Sequence, residues 1–407
     1  MFSALNIRDF RVLWLGTLFS FVAFFMAMIV QSVVAFQIAG NNSAVGMVVF
    51  AQGIGMAALG PIGGAFADRW PKRRVVAFGQ VTASVVFLAL AGLVYTEAIT
   101  IPLLALGAFL IGVTLAFLGP ARQGLVIDLV PVENRGNAMA INTVANTGSR
   151  VFGPAIAGFL LAWEASGPVG AYLVMALFYS TSALSLLLLP RSKVRSDARD
   201  RPFYSDVVEG FGYVWGHRRL RLLVLFFALV IFSGFPHVSI LPGLAENVFS
   251  LSAAEVSEFF LAAAVGALAA SVWVVRFGDS PEAHIIYAAM AGLFGVSLIA
   301  VAWAPSYGWA LAGMVGVGLG SGGFQSLNAA VIARETEPNF IGRVMSLALL
   351  AFAGFGIMAL PYGVLADAIG ERMTFVIMGL VVVVFTVYFW IQLVREGAIR
   401  GSRGQRS

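Results

Sequence analysis

Apolar residues run through this chain in long blocks, and the polar ones gather in short breaks between them. The stretch from Val12 to Ala67 contains no charged side chain. At roughly 20 residues per bilayer crossing it is long enough for two helices, and the turn-forming run AGNNSA, Ala39 to Ala44, divides it. Further blocks of span length follow at Val75–Tyr95, Ile99–Ile127, Asn137–Trp163, Pro168–Pro190, Leu222–Ala245, Ala253–Val275, Ile285–Trp303, Tyr307–Ala333, Val344–Ala366 and Met373–Val394. The pattern predicts an all-α membrane protein of twelve transmembrane helices, since a helix satisfies its own backbone polar groups in lipid. Composition agrees, with 60% apolar and only 11% charged residues among 407, a balance foreign to soluble domains.

Charge then orients the spans. Of 25 Lys and Arg, 23 fall on one side: Arg8 and Arg11, the run DRWPKRR, the stretch Arg122 to Arg135, the segment Arg191 to Arg221, Arg276, Arg334 to Arg343, and the tail. The opposite loops hold Arg372 alone, and Arg150 belongs to neither side. Basic loops stay in the cytoplasm during insertion, so both termini are expected there and the chain is expected as a multi-pass cell-membrane protein. The net charge of +5 sits mainly on loops that face anionic lipid, which argues against a nucleic-acid partner. The absence of cysteine excludes disulfides and Cys-based metal or redox sites. No metal or cofactor is expected. The first apolar run is span-length and lacks a small-residue cleavage site, so a cleavable signal peptide is not expected.

One long polar segment, Arg191 to Arg221, divides the chain. The expected organisation is a six-helix bundle over residues 1–190, a cytoplasmic linker over 191–219, a second six-helix bundle over 220–395 and a basic tail over 396–407. The first part of the linker reads as disordered, while Phe203 to Trp215 has apolar residues at helical spacing, as in a helix lying on the membrane surface. A shift of 207 residues places Arg11 on Arg218, Phe19 on Phe226, Phe25 on Phe232, Arg69 on Arg276, Asp128 on Glu335, Pro131 on Pro338, Pro154 on Pro361 and Glu164 on Glu371. These pairs predict a duplicated six-span unit and hence two pseudo-symmetric bundles.

Between the second and third spans the run GGAFADRWPKRR carries Gly64, Asp68, Arg69, Lys72, Arg73 and Arg74, with Pro71 where a Gly is usual. It resembles the loop signature of the major facilitator superfamily. The fifth span adds Ala140, Ser149, Gly153, Pro154, Ala157 and Gly158, similar in size pattern to the superfamily's antiporter motif. The stretch Gly119 to Asn142 resembles the drug-exporter branch that includes enterobactin and macrolide exporters. The resemblance implies the major facilitator fold, a central cavity lined by the first and seventh spans, and a conformational latch of Gly64, Asp68, Arg69, Arg73 and Asp128 at the inner face. The second copy of the loop keeps Arg276 and Gly278 but has Val275 in place of the Asp.

Candidate chemistry centres on Arg150. Residues four apart share a helix face, so Asn142, Asn146 and Arg150 form a polar stripe beside a ridge of Ala145, Ser149, Gly153 and Ala157. Arg150 lies ~20 Å along the span from Asn137, beyond the reach of snorkelling. An arginine at that depth costs at least ~2.5 kcal/mol against lipid and must face protein or water. Its counterpart in the repeat, Ile357, is apolar. Arg150 is therefore read either as part of a substrate pathway or as a structural clamp on an acid or carbonyl. Phe25 and Phe232, related by the repeat, are candidates for the cavity wall or for lipid-facing filler. His237, between Pro236 and Pro242, is a candidate for titration in the pathway or for a simple carbonyl bond. Gln31, Gln52 and Asn328 read as interhelical hydrogen-bonding residues.

These features together predict a secondary transporter that exports an amphiphilic or anionic aromatic small molecule, of the drug or siderophore class, by alternating access. Proton coupling would rest on Asp128, His237 or Glu246, because the first span has no acid. An importer of a metabolite is the alternative. An intramembrane enzyme would need a constellation such as HExxH or GxSxG, and neither is present. The expected partners are the small molecule, a coupling proton and membrane lipid, with the chain as a monomer.

Overall fold

The computed structural model describes residues 3–190, 203–278, 280, 282–337 and 339–395. The first part of the expected linker, the tail and Pro338 lie outside the described residues. Among the described residues the chain is helical, with no strand. The first bundle comprises α1 (Arg8–Ala39), α2 (Asn42–Arg69), α3 (Lys72–Tyr95), α4 (Ile101–Leu129), α5 (Arg135–Ala162) and α6 (Gly167–Ser185). After α7 (Phe203–Gly216) the second bundle follows as α8 (Arg218–Gly234), the single turn α9 (Leu241–Gly243), α10 (Ala253–Val274), α11 (Ala283–Ala302), α12 (Tyr307–Arg334), α13 (Ile341–Ile369) and α14 (Glu371–Arg395).

Among the described residues, nine of these helices are long and apolar enough to cross a membrane on length and composition alone. The polar stripe of α5 and the many glycines of α12 hold those two back, and the apolar stretch described in α13 is Gly354–Ile369. Together with these three they make the twelve spans. The turn at AGNNSA forms as the residues dictate: Gly40 closes α1 at φ 65° with its N–H on the Phe36 carbonyl, and the Asn41 side chain accepts the Ala44 N–H.

Helix ends repeat in the expected register. Tyr95 and Ala302 end the third helix of each bundle and Ala162 and Ile369 end the fifth, each pair 207 residues apart. The seventh span departs from its counterpart. Where α1 runs unbroken for 32 residues, α8 stops at Gly234 and continues as a 3-10 turn (Phe235–Ser239), α9 and a π turn (Leu244–Val248). Pro236 and Pro242 each remove a helix hydrogen-bond donor, which accounts for the break.

In the described part of the linker, α7 packs on protein through Tyr213 and Val214, while Phe211 and Trp215 stay exposed. Val214 is buried, the ring of Tyr213 stacks on Phe340 at 4.1 Å, and Arg343 at the start of α13 pairs with Glu209 at 3.0 Å. Among the described residues each bundle also ties the start of its third helix to the end of its fourth by a polar side-chain contact. Lys72 meets Asp128 at 2.7 Å, and His284 meets Glu335 at 3.4 Å. The one arginine of the sparsely charged loops, Arg372, donates to the carbonyls of Ala302 and Ala304 and so caps α11.

The hydrogen bond from His284, with the charges of His284, Arg219 and Arg334 adding to it, holds the Glu335 carboxyl below its usual range despite partial burial. A depressed carboxylate stabilises the fold above its unfolded pKa and loses that contribution as pH falls through the folded value. Glu335→Gln is therefore expected to lower the melting temperature at pH 7, with the difference from the parent closing as pH falls below 4.5. Thermal melts of purified protein across that window check this; a gap that persists in acid would contradict it.

Candidate functional site

The polar stripe on α5 meets α1. Phe21, Phe25 and Met28 are half-buried along one face of α1, while Val22, Ala23, Met26 and Ala27 behind them are buried. The guanidinium carbon of Arg150 lies 5.4 Å from the centre of the Phe25 ring. Such a contact attracts the cation to the negative face of the ring. Arg150, Asn142 and Asn146 are all half-buried, so the stripe is neither sealed in the core nor free in bulk solvent. Among the described residues Arg150 has no carboxylate within 4.0 Å and no hydrogen-bond acceptor. Pro154, four residues on, cannot donate to the Arg150 carbonyl, which leaves a backbone acceptor beside the cation.

The small-residue ridge is buried on the neighbouring face. Ser149 returns its hydroxyl to the Ala145 carbonyl at 2.7 Å, and Gly153, Pro154 and Ala157 are buried. A Cβ at Gly153 would come within 2.6 Å of the Phe25 Cβ, so absence of a side chain there is what seats Phe25 beneath Arg150. Gly158, one turn further, meets Ser257 of α10 in the other bundle. Stripe and ridge therefore divide as the helical spacing requires.

A second intramembrane arginine emerges that charge counting assigned to the basic loops. Arg122 lies inside α4, only 7% exposed, with its guanidinium carbon 4.8 Å from the Phe21 ring centre. Its Nε has no acceptor among the described residues. The signal was present in the sequence, since Arg122 interrupts the otherwise uncharged block Ile99–Ile127.

Other candidates separate from this pair. Phe232 rests its ring on Gly354 of α13, the C-terminal analogue of Phe25 on α5. Phe226 and Phe227, unlike the half-buried Phe19, Phe21, Phe24 and Phe25 of α1, are buried in an aromatic core where Phe226 stacks on Phe389 at 4.2 Å and Tyr287 on Phe324 at 4.5 Å. His237 is 5% exposed, with Nδ1 2.8 Å from the Gly234 carbonyl and its ring against Phe294 and Phe375. That is the carbonyl-bonded arrangement, away from the α1–α5 stripe. Glu246 is exposed in the π turn after α9. Asn328 accepts from the Tyr287 hydroxyl at 3.0 Å, an interhelical bond, while Gln31 and Gln52 line a small recess between the bundles with Met28, Val238 and Phe355.

At the basic end, Arg73 donates to the carbonyls of Leu189 at 2.6 Å and Leu187 at 3.2 Å, closing the end of α6 within its own bundle. Arg69 is exposed at the end of α2. The backbone of Gly64 and Asp68 continues α2, but the Asp68 side chain and the surroundings of Gly64 lie outside the described residues. At the opposite end the bundles are clasped by contacts that no sequence motif announced. Asp367 of α13 accepts the backbone N–H groups of Asn42 at 2.7 Å and Ser43 at 2.9 Å, at the positive end of α2. Glu371 of α14 accepts from the side chains of Asn42 at 2.9 Å and Asn247 at 2.6 Å. Just inside, Gly53 and Gly356 bring α2 and α13 so close that a Cβ at Gly53 would stand 2.7 Å from the Gly356 Cα.

This arrangement of paired bundles agrees with sequence comparison: the profile of the Major Facilitator Superfamily matches residues 13–353. The chain belongs to the major facilitator superfamily. It is accordingly a multi-pass membrane transporter and not an enzyme. Among its relatives in the superfamily, Macrolide efflux protein A of Streptococcus pyogenes is 20% identical over 389 residues, covering 93% of this chain and 94% of the relative. The Staphyloferrin A transporter of Staphylococcus aureus is 24% identical over 351 residues, covering 86% and 87%. The solved structure of a D-xylose-proton symporter shares the fold at a TM-score of 0.75 and 14% identity, covering 95% of this chain and 97% of that one.

The tight seat of Phe25 gives a direct check. Gly153→Val is expected to lower stability by about 1–3 kcal/mol through overpacking against α1. Gly60→Ala, in α2 where nothing lies within 4 Å of the added carbon, should be neutral or stabilising by up to about 1 kcal/mol. Melting temperatures of the two purified variants measure both; equal losses would overturn the close-contact reading.

Proposed function

We propose that this superfamily member is a secondary active exporter of an amphiphilic or anionic aromatic small molecule, working by alternating access and coupled to protons. The observation that carries the reading is Arg150, held over Phe25 within the membrane, half-buried and without a carboxylate among the described residues. A structural clamp needs a partner, whereas a pathway cation needs a site left open for something that comes and goes. Asn142 and Asn146 extend the same face with hydrogen-bonding groups, and Phe25 supplies an apolar wall, with Phe232 opposite it in the repeat. Two relatives whose names denote export of a macrolide or transport of staphyloferrin A support a substrate of this general kind.

The conformational reading follows from the clasp. The bundles meet at the end carrying Asn42, Asp367 and Glu371, so this state is closed there. With the basic end cytoplasmic, the closed end faces outward, and release requires the clasp to break while α2, α4 and the loop carrying Gly64, Asp68, Arg69, Lys72, Arg73 and Asp128 close the inner side. The coupling proton would be carried by Asp128, Glu246 or His237. Monomers suffice for this cycle because each chain contains both bundles.

Everted membrane vesicles carrying an imposed proton gradient test the function. Uptake of an anionic aromatic dye, collapsed by a protonophore, is expected for the parent and reduced at least about tenfold in Arg150→Leu, as when a charge-assisted contact is lost. The same variant should melt close to the parent. A clamp would instead cost ~3–5 kcal/mol on losing one partner, so a large fall in melting temperature with dye transport intact would overturn the assignment.

A further inference from the structure

The charge balance inside the first bundle is one-sided. The interiors of its spans carry two arginines, Arg122 and Arg150, and every acid of the first 190 residues lies at a helix end or in a loop: Asp9, Asp68, Glu97, Asp128, Glu133 and Glu164. Asp128 is committed to Lys72 at 2.7 Å. Among the described residues neither arginine has an anionic partner, and the Nε of Arg122, a side chain 7% exposed, has no acceptor at all. A desolvated cation in that position is costly unless an anion or water completes it.

Both guanidinium groups stack on one helix. Arg122 covers Phe21 at 4.8 Å and Arg150 covers Phe25 at 5.4 Å. Phe21 and Phe25 are four residues apart on the same face of α1, about 6 Å along its axis. Stacking on a ring leaves the edge of each planar fork, where the N–H donors lie, free to grip an oxyanion in two-pronged fashion. The second bundle has no counterpart: at a shift of 207 residues Arg122 falls on Ala329 and Arg150 on Ile357, both apolar.

We propose that Arg122 and Arg150 together form one binding site for a ligand bearing two acidic groups on an aromatic or apolar frame, the frame lying along Phe21 and Phe25. This rests on the pathway reading of Arg150 and adds to it a second anchor and a dianionic substrate class. A monoanion would leave one buried cation uncompensated, so the site should discriminate by charge number as well as by shape.

The test is binding by the purified full chain in nanodiscs of zwitterionic lipid, so that no anionic headgroup competes. The probes are benzene-1,4-dicarboxylate, its monomethyl ester and its dimethyl ester, which share a ring and differ in charge. The parent is expected to bind the dianion at least about tenfold more tightly than the monoester, and the diester more weakly still. Arg122→Gln and Arg150→Gln should each reduce the dianion-to-monoester ratio to about one, a readout that a merely structural role would leave unchanged. Arg122→Lys keeps the charge and carries the same test should the glutamine variant fail to fold: it should retain part of the preference. Equal affinity for dianion and monoester in the parent, or an Arg122→Gln variant that keeps the parent's ratio, would overturn the proposal. Dianion binding that is inhibited by added cardiolipin would assign the same site to a lipid headgroup and overturn the small-molecule reading. Because no flux is measured, a chain that binds the dianion yet moves no dye in vesicles would refute export while leaving this site standing.

Discussion

Helices in a bilayer gain little by hiding apolar side chains from lipid that is equally apolar, so their association depends on places where backbones come close. In this chain those places are specific. Gly153 lets α5 settle on α1 at Phe25, and Gly53 against Gly356 lets α2 meet α13 across the bundles. The placement of Phe25 and Arg150 follows from the first of these approaches. Phe25 lies under Arg150 because the residue nearly one turn beyond Arg150 has no side chain to push it away.

The same solvent makes charge costly, and the chain distributes it unevenly. Most ionic groups sit at helix ends, where Lys72 and Asp128, His284 and Glu335, or Arg372 with two carbonyls hold neighbouring elements together. Arg122 and Arg150 stand apart by being deep and aromatic-stacked. The second bundle, with its aromatic core around Phe226 and Tyr287, provides packing where the first provides polarity. The two frames are similar, and the deep, ring-covered arginines lie in the first of them.

Much of this was legible in the residues. Span count and duplication could be read because bilayer thickness and helix rise convert directly into the length of an apolar block. The partition of α5 into stripe and ridge could be read from helical spacing. The break in α8 was marked by Pro236 and Pro242, yet its form was not, since a proline removes a donor without specifying which turn replaces the helix. Arg122 could be read as lying near the cytoplasmic end of the fourth span, but a count of basic residues by side cannot show that it is buried there against Phe21. The clasp of Asp367 and Glu371 on Asn42 was invisible because it joins positions 325 and 329 residues apart, and no local pattern encodes such a meeting.

The clasp has a further property. On the α2 side Asp367 holds the Asn42 side chain at 3.1 Å and the main-chain N–H groups of Asn42 and Ser43, and those main-chain groups are ones that every residue except proline carries. Sequence drift in the first turn of α2 therefore leaves half of the fastening in place, while on the α13 side it depends wholly on one carboxylate. A lineage can thus vary the surface that α2 presents at this end and still keep the closure, provided that the acid is retained and proline is kept out of those two positions.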